Sequence, residues 1–210
     1  MLRAKSVGTY DSSLAEAAAE LIAAGRDFAA RGWVPATSGN LSRRLDARTM
    51  AITLSGRDKG ALTEADFVAM DVASPAPPGV SAEAPLHALM YRHDGDVQSV
   101  LHVHSVAATL ASKEHERAGT LVLEDYEMLK ALAGVTTHAT RIEVPVFAND
   151  QDIPALARRV EKRLTPGMVG YLIAGHGLYT WGTSVAAARR HVEAFDFLFI
   201  CELERIRRQR

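Results

Sequence analysis

Short apolar segments alternate with amphipathic ones along most of this 210-residue chain, and this alternation constrains its fold more than any other feature. The apolar segments predicted to form strands lie at about 50–54, 67–72, 99–103, 120–123, 141–146 and 169–173. Helices are predicted at about 13–30, 84–91, 106–112, 126–132, 152–164 and 184–206. Because helices do not separate every pair of successive strands, we do not expect a purely parallel sheet. The pattern predicts an α/β protein, a three-layer α/β/α sandwich with a mixed central sheet.

The first helix has the clearest start signal of the chain. Ser13 and Glu16 have capping-box spacing, and apolar residues recur on one face behind them. Gly25 falls on that apolar face and weakens the prediction, because a glycine inside a helix costs about 1 kcal/mol relative to alanine. Beyond the helix, the small and polar segment 37–40 predicts a turn.

Length and composition fit one compact domain spanning residues 1–210. The net charge of −1 gives no general attraction to nucleic acid, so no nucleic-acid partner is expected. Cys201 is the only cysteine, which excludes an intrachain disulfide, and its apolar neighbours predict a buried, inert thiol. No apolar run approaches the ~20 residues of a membrane span. We therefore expect a cytosolic protein without a membrane partner.

The segment 101–105 carries two histidines on one predicted strand. Side chains two residues apart in a strand point to the same face, so His102 and His104 project together from the strand end. Neutral imidazoles are preferred ligands of zinc and other late divalent ions. Two histidines that only accept or donate hydrogen bonds at a strand end would show the same pattern, so this pair alone does not decide for a metal.

A third histidine strengthens the metal interpretation. His176 lies between Gly175 and Gly177, directly after the apolar segment 169–173. The glycines allow a sharp turn and leave space beside the ring. Three protein ligands with one open position are typical of a catalytic zinc site, although His176 could also be a turn residue. We expect the other histidines to lie at the surface or behind the site, namely His87, His93, His115, His138 and His191.

Two glutamates are candidates for acid–base chemistry, Glu83 and Glu127. Each begins a predicted helix, where a carboxylate is also favoured by the helix dipole alone. A phosphate site is indicated by small, polar turns, whose hydroxyls and backbone amides can bind anions. The candidates for that site are Asn40, Ser55, Gly56 and Ser81, together with the charge of Lys59.

These motifs, taken in chain order, resemble those of the class II (zinc-dependent) aldolase family, which includes fuculose-phosphate and rhamnulose-phosphate aldolases and ribulose-phosphate 4-epimerase. The resemblance extends from the first predicted helix to the last and is carried by segments 37–42, 55–56, 81–83, 102–105 and 175–177. Within the family, segments 55–59, 127–130 and 176–182 are most similar to those of its sugar-phosphate dehydratases.

The resemblance implies an α/β/α fold, a homotetramer and a small phosphorylated ketose as substrate. It implies one Zn²⁺ per subunit, held by His102, His104 and His176. It also implies a phosphate cradle close to Lys59 that is formed by Asn40, Ser55, Gly56 and Ser81.

The resemblance leaves the roles of the two glutamates open. In the aldolases the residue matching Glu83 is a metal ligand and acid/base, whereas in the dehydratases the residue matching Glu127 is the acid/base. This chain has both. We take Glu127 as the catalytic residue, because nothing in the aldolase pattern requires it, and expect a lyase that removes water from a sugar phosphate. An aldolase for a short sugar phosphate such as fuculose 1-phosphate is the alternative, and a non-catalytic interaction domain on the same fold is a third.

Overall fold

A computed structural model describes residues 13–209 of the chain, so both ends of the domain predicted over 1–210 lie outside the described residues. An eight-stranded sheet forms its centre. The strands are β1 Asn40–Arg44, β2 Thr49–Thr53, β3 Phe67–Asp71, β4 Ser99–Val103, β5 Thr120–Glu124, β6 Arg141–Phe147, β7 Gly170–Ile173 and β8 Gly177–Gly182. The α-helices are α1 Leu14–Ala30, α2 Ala84–His93, α3 Val106–His115, α4 Ile153–Glu161 and α5 Val185–Gln209.

The strands follow the spatial order β3-β2-β1-β4-β8-β7-β6-β5. Within the described residues, β6 and β7 pair in parallel and the other neighbours pair antiparallel. Helices α1, α3 and α5 contribute to the hydrophobic core on one face of the sheet, and α2 and α4 to the core on the other. The predicted three-layer α/β/α architecture with a mixed sheet is therefore confirmed.

The sequence pattern does not reveal two strands, β1 and β8. Asn40, predicted to lie in a turn, begins β1, which is polar yet mostly buried. Its polar groups have internal partners: the Arg44 guanidinium donates to the carbonyls of Val97 at 2.8 Å and Tyr91 at 2.7 Å. Strand β8 follows the glycine-flanked turn at once and pairs back on β7. Neither strand shows the apolar alternation by which strands are usually recognised.

Several element ends differ from the sequence prediction. The helix predicted at 126–132 is a 3₁₀ segment, Glu127–Ala131, and the one predicted at 152–164 ends at Glu161. Cys201 is half-buried rather than buried, and partial burial raises the pKa of its thiol. Across residues 13–209, none of the helices combines the length and the apolar character needed to cross a membrane.

Gly25 is required by packing rather than by a turn. A Cβ atom at this position would lie 2.5 Å from the backbone oxygen of Lys59 and 3.1 Å from Leu62 Cδ1. Helix α1 can therefore approach the segment that follows β2 only because residue 25 has no side chain. The glycine that weakened the helix prediction thus fixes the position of the Lys59 backbone.

We expect Gly25→Ala to lower the free energy of unfolding by about 1–3 kcal/mol, because the added methyl group overlaps a backbone carbonyl. Alanine's intrinsic helix preference of about 1 kcal/mol acts in the opposite direction and does not cancel this cost. Urea denaturation measures the difference. Gly95→Ala is the matched control, since a Cβ there would meet no atom within 4 Å. Equal stabilities of wild type and Gly25→Ala would contradict this interpretation.

Candidate metal centre and active site

The site is built on one row of side chains that crosses the sheet. Asn40 on β1 pairs with His102 on β4, His102 with Tyr179 on β8, and Tyr179 with Tyr171 on β7. Directly paired residues are neighbours on the same face of a sheet. The His102 ring stacks on Tyr179 with centroids 4.0 Å apart, and Tyr179 stacks on Tyr171 at 5.0 Å. The strand register therefore holds His102 between a buried amide and a buried aromatic stack.

Three imidazole nitrogens converge beside this row. The Nε2 atom of His102 lies 2.8 Å from His104 Nε2 and 3.2 Å from His176 Nε2. Two nitrogens that each bind a tetrahedral zinc ion at about 2.0–2.1 Å are about 3.3 Å apart, so this spacing fits a metal. The Nδ1–H of His102 donates to the Leu178 carbonyl at 3.0 Å, which leaves the Nε2 lone pair facing the other two rings.

A tight turn between β7 and β8 presents His176. Gly175 adopts the left-handed region with φ +64°, and the Thr109 hydroxyl of α3 donates to the His176 carbonyl at 3.2 Å. A Cβ at Gly177 would lie 2.2 Å from the Val103 carbonyl oxygen. The sequence predicted free space beside the His176 ring, but on the Gly177 side the backbone of β4 fills it. This close approach of β4 brings His176 near His102.

Glu83 lies directly at the three histidines. It is the N-cap residue of α2, and its side chain is only 17% exposed. Its Oε1 is 3.0 Å from His176 Nε2 and its Oε2 is 3.5 Å from His102 Nε2. The Asn40 amide nitrogen donates to Oε2 at 2.9 Å. A carboxylate therefore lies beside three nitrogen atoms whose type and spacing suit a divalent metal.

The protonation states suit metal ligands. Burial lowers the pKa of His102 well below its ordinary value and the pKa of His104 to about 4, so both rings are neutral at pH 7. Burial by itself would raise the pKa of Glu83. The proximity of His102 and the hydrogen bonds from His176 and Asn40 outweigh burial, and the pKa of Glu83 is lowered. Glu83 is therefore an ionised carboxylate beside the neutral rings of His102 and His104.

Lys59 is buried, with 1% of its surface exposed. Its ammonium group donates to the backbone carbonyls of Thr37 at 2.6 Å and Arg57 at 2.8 Å. Burial lowers its pKa from 10.5 to about 8. An ammonium group has three donors, so one remains for an anion beyond these two carbonyls.

The other phosphate candidates lie on neighbouring turns. A bridge between Leu54 and Val80 places the exposed Ser55–Gly56 turn next to Ser81. The Ser81 hydroxyl accepts from the Asn40 amide at 3.2 Å. The backbone amide of Ser55 is not free, because it donates to the Gly79 carbonyl at 2.8 Å. The anion donors left at this turn are the Ser55 hydroxyl and the Gly56 amide.

Glu127 has different surroundings. Its side chain is 71% exposed and contacts the Lys130 ammonium and His138, whose Nδ1 is 3.6 Å away. The structure thus brings Glu83, rather than Glu127, to the three histidines.

Two of the histidines expected at the surface or behind the site are fully buried. His191 belongs to the core around α5, whereas His87 bonds to Asn40 and lies directly behind the site. A sequence signal for His87 was present: it follows Glu83 by four residues on one predicted helix, the spacing of a shared helix face. Nothing in the sequence pattern distinguishes Tyr171 and Tyr179 from ordinary core aromatics.

Curated proteins of high identity match almost the whole chain. Methylthioribulose-1-phosphate dehydratase of Methylococcus capsulatus is 54% identical, with 92% of this chain and 96% of that protein covered. The protein of the same name from Pectobacterium atrosepticum is 50% identical, with 88% of this chain and 92% of that protein covered.

Solved structures share the fold. l-Fuculose-1-phosphate aldolase from Thermus thermophilus matches with a TM-score of 0.77 and 26% identity, covering 94% of this chain and 98% of that one. The profile of the family described as Class II Aldolase and Adducin N-terminal domain matches residues 19–203. The chain therefore belongs to the class II aldolase family.

Proposed function

We propose that this enzyme is a metal-dependent hydro-lyase of methionine salvage that converts 5-methylthioribulose 1-phosphate into the 2,3-diketo-5-methylthiopentyl phosphate. Support comes from relatives of that name at 50–54% identity over most of the chain. The structural observation that carries the proposal is the convergence of three imidazole nitrogens next to Glu83.

Zinc is the metal we propose, one ion per subunit, held by His102, His104 and His176. When bound, it would supply Lewis-acid chemistry at the C2 carbonyl of the ketose, which makes the C3 proton acidic. The partly buried Glu83 carboxylate lies beside these three ligands. The phosphate would be bound by Ser55, Gly56 and Ser81, with the third N–H of Lys59 as the charged donor.

The reaction removes one proton from C3 and the hydroxyl group from C4, and the resulting enol tautomerises to the second ketone. The departing hydroxyl must be protonated, which requires a positioned acid. We assign this role to Glu127, on the resemblance to the dehydratases: its carboxylate would accept the C3 proton as a base and would then, as the acid, return a proton to the departing C4 hydroxyl, which leaves as water. Because its side chain is exposed and paired with Lys130, it must reach substrate by a movement of its segment or from a neighbouring subunit.

An aldolase acting on a short sugar phosphate is the second candidate, favoured by the position of Glu83 at the histidines. Turnover of 5-methylthioribulose 1-phosphate measured beside fuculose 1-phosphate distinguishes the two. Purified protein with neither a stoichiometric divalent metal nor either activity would indicate a non-catalytic interaction domain on this fold.

We further propose a cytoplasmic homotetramer that acts as a single domain. Four large apolar side chains on α3 and α5 are 48–71% exposed, more than a free surface usually tolerates together: Val106, Leu110, Phe197 and Ile200. Val106, Leu110 and Ile200 line one groove of about 450 Å³. A second copy of this chain is the partner that we propose for this surface.

We expect His104→Ala to lose the metal and nearly all activity while remaining folded, since a core of this size does not need the ion to fold. Metal analysis, turnover and circular dichroism measure the three effects. His93→Ala, at an exposed position on α2, is the control and should resemble wild type. Retained metal and turnover in His104→Ala would exclude His104 as a ligand.

Lys59→Met removes the charge and keeps most of the side-chain volume. We expect KM for the phosphorylated ketose to rise about 10-fold or more, with a smaller change in kcat, because uniform substrate binding is lost. The lysine is charged below its pKa of about 8, so in wild type KM should also rise as pH increases through this value. That rise should be absent in Lys59→Met. A variant with lower stability but unchanged KM would show that Lys59 only links the backbone segments of Thr37 and Arg57.

The two glutamates are separated by comparing Glu127→Gln with Glu83→Gln. Glu127→Gln should keep the metal and KM but lose about 10²-fold or more in kcat, because a general acid acts only in the transition state. Glu83→Gln should weaken metal binding first, and excess Zn²⁺ should restore part of its activity. A nearly normal Glu127→Gln beside a metal-replete, inactive Glu83→Gln would transfer the acid–base role to Glu83 and favour the aldolase.

Mixed subunits test where Glu127 acts. If it reaches a neighbouring subunit, inactive Glu127→Gln and inactive His104→Ala should regain activity together after subunit exchange. If it acts within its own subunit, the mixture stays inactive.

A further inference from the structure

A continuous line of hydrogen bonds leads from the core to the partly buried Glu83. His87, which is fully buried, has its Nδ1 atom 2.7 Å from the Ser42 hydroxyl, and its Nε2 atom bonds Asn40 Oδ1. The Asn40 amide nitrogen then donates to Ser81 at 3.2 Å and to Glu83 at 2.9 Å. Asn40 thus contacts both the metal cluster, through Glu83, and the phosphate cradle, through Ser81.

The partners determine the direction of every bond in this line. A carboxylate oxygen accepts, so the Asn40 atom that faces Glu83 must be the NH₂ group, and the atom that faces His87 is the carbonyl oxygen. That oxygen also only accepts, so the Nε2 of His87 must carry its hydrogen. Burial lowers the pKa of His87 to about 3, and the neutral ring leaves Nδ1 bare to accept from the Ser42 hydroxyl.

Glu83 and His87 consequently fix the orientation of the Asn40 amide together, Glu83 at its NH₂ group and His87 at its oxygen. Rotating the amide by half a turn would direct its oxygen at the Glu83 carboxylate and its NH₂ group at the Nε2–H of His87. Both contacts are repulsive inside a buried environment, where polar groups without a partner are costly. His87 shares α2 with Glu83, and its ring meets Tyr179 edge-on at 5.6 Å. The ring that locks the amide therefore packs on the same aromatic stack as His102.

We propose that His87 is a positioning residue of the active site: its Nε2–H fixes the Asn40 amide, which in turn orients Glu83 at the metal ligands and Ser81 at the phosphate. The role in substrate binding rests on the function proposed above. The role in metal binding does not depend on the identity of the substrate.

Two amide substitutions separate this role from simple packing. His87→Gln can place an N–H near the former Nε2 and keep the bond to Asn40, whereas the shorter His87→Asn reaches only the Ser42 side. We expect His87→Asn to lose about 10- to 100-fold in Co²⁺ affinity, titrated into the metal-free protein, the range found when groups behind metal ligands are removed. Its KM for the phosphorylated ketose should rise as well, while His87→Gln stays within about threefold of wild type in both.

His191→Asn is the matched control, because His191 is equally buried and bonds the Trp181 carbonyl at 2.8 Å, but lies on α5, which packs on the opposite face of the sheet from α2. It should lower the melting temperature without changing Co²⁺ affinity or KM. If His87→Asn and His87→Gln behave alike in both measurements, or if His191→Asn weakens metal and substrate binding as much, the proposal is wrong.

The tautomer can be tested on the wild type even if a variant does not fold. In ¹⁵N-histidine-labelled metal-free protein, the His87 resonances should show a protonated Nε2 and a bare Nδ1 at neutral pH. The opposite tautomer would overturn the proposal. Wild type with no turnover of methylthioribulose phosphate, but with the expected tautomer and variant Co²⁺ affinities, would reject the proposed substrate and leave the role of His87 intact.

Discussion

The pairing register of β1, β4 and β8 is the constraint on which the site depends. It sets Asn40, His102 and Tyr179 side by side on one face of the sheet. A slip of one residue would turn each of these side chains to the opposite face, away from α2 and Glu83. Hydrogen bonds made by this row then orient the groups of the site: the Leu178 carbonyl orients the His102 ring, and the Asn40 amide holds the Glu83 carboxylate.

Burial determines how these groups behave chemically. His102 is inaccessible to solvent, and a charged imidazole there would lose its hydration without protein interactions that compensate for it. The ring is therefore neutral, with a lone pair directed at its neighbours, which is the state a metal requires. The same low-dielectric surroundings make the hydrogen bonds to Glu83 effective. Lys59, by contrast, has hydrogen-bond partners for a charged group, because two backbone carbonyls accept from its buried ammonium group. Burial nevertheless lowers its pKa to about 8.

The sequence identifies those features of the site whose signal is local. The two-residue period of a strand placed His102 and His104 on one face, and the glycine-flanked His176 was recognised at the end of an apolar strand; the structure brings all three together. The sequence does not reveal strands β1 and β8. The polar side chains of β1 look like those of a turn until partners such as Val97 and His87 are known, because burial of a polar group depends on groups distant in sequence. The same holds for Glu83 and Glu127: both are acidic residues at the start of a predicted helix, and the sequence does not show which of them lies at the histidines.

The sequence by itself determined the alternation of elements, the three-layer class, the three histidines and the family resemblance, because each depends on residue type and on spacing within a segment. Only the tertiary structure decided which glutamate lies at the histidines, that Gly25 is required by the carbonyl of Lys59, and that His87 reaches the site through Asn40. Those facts depend on contacts between residues that are far apart in the chain: 93 positions for Glu83 and His176, 34 for Gly25 and Lys59, and 47 for Asn40 and His87. Such contacts exist only once the strand register and the helix packing are set, and no local pattern encodes them.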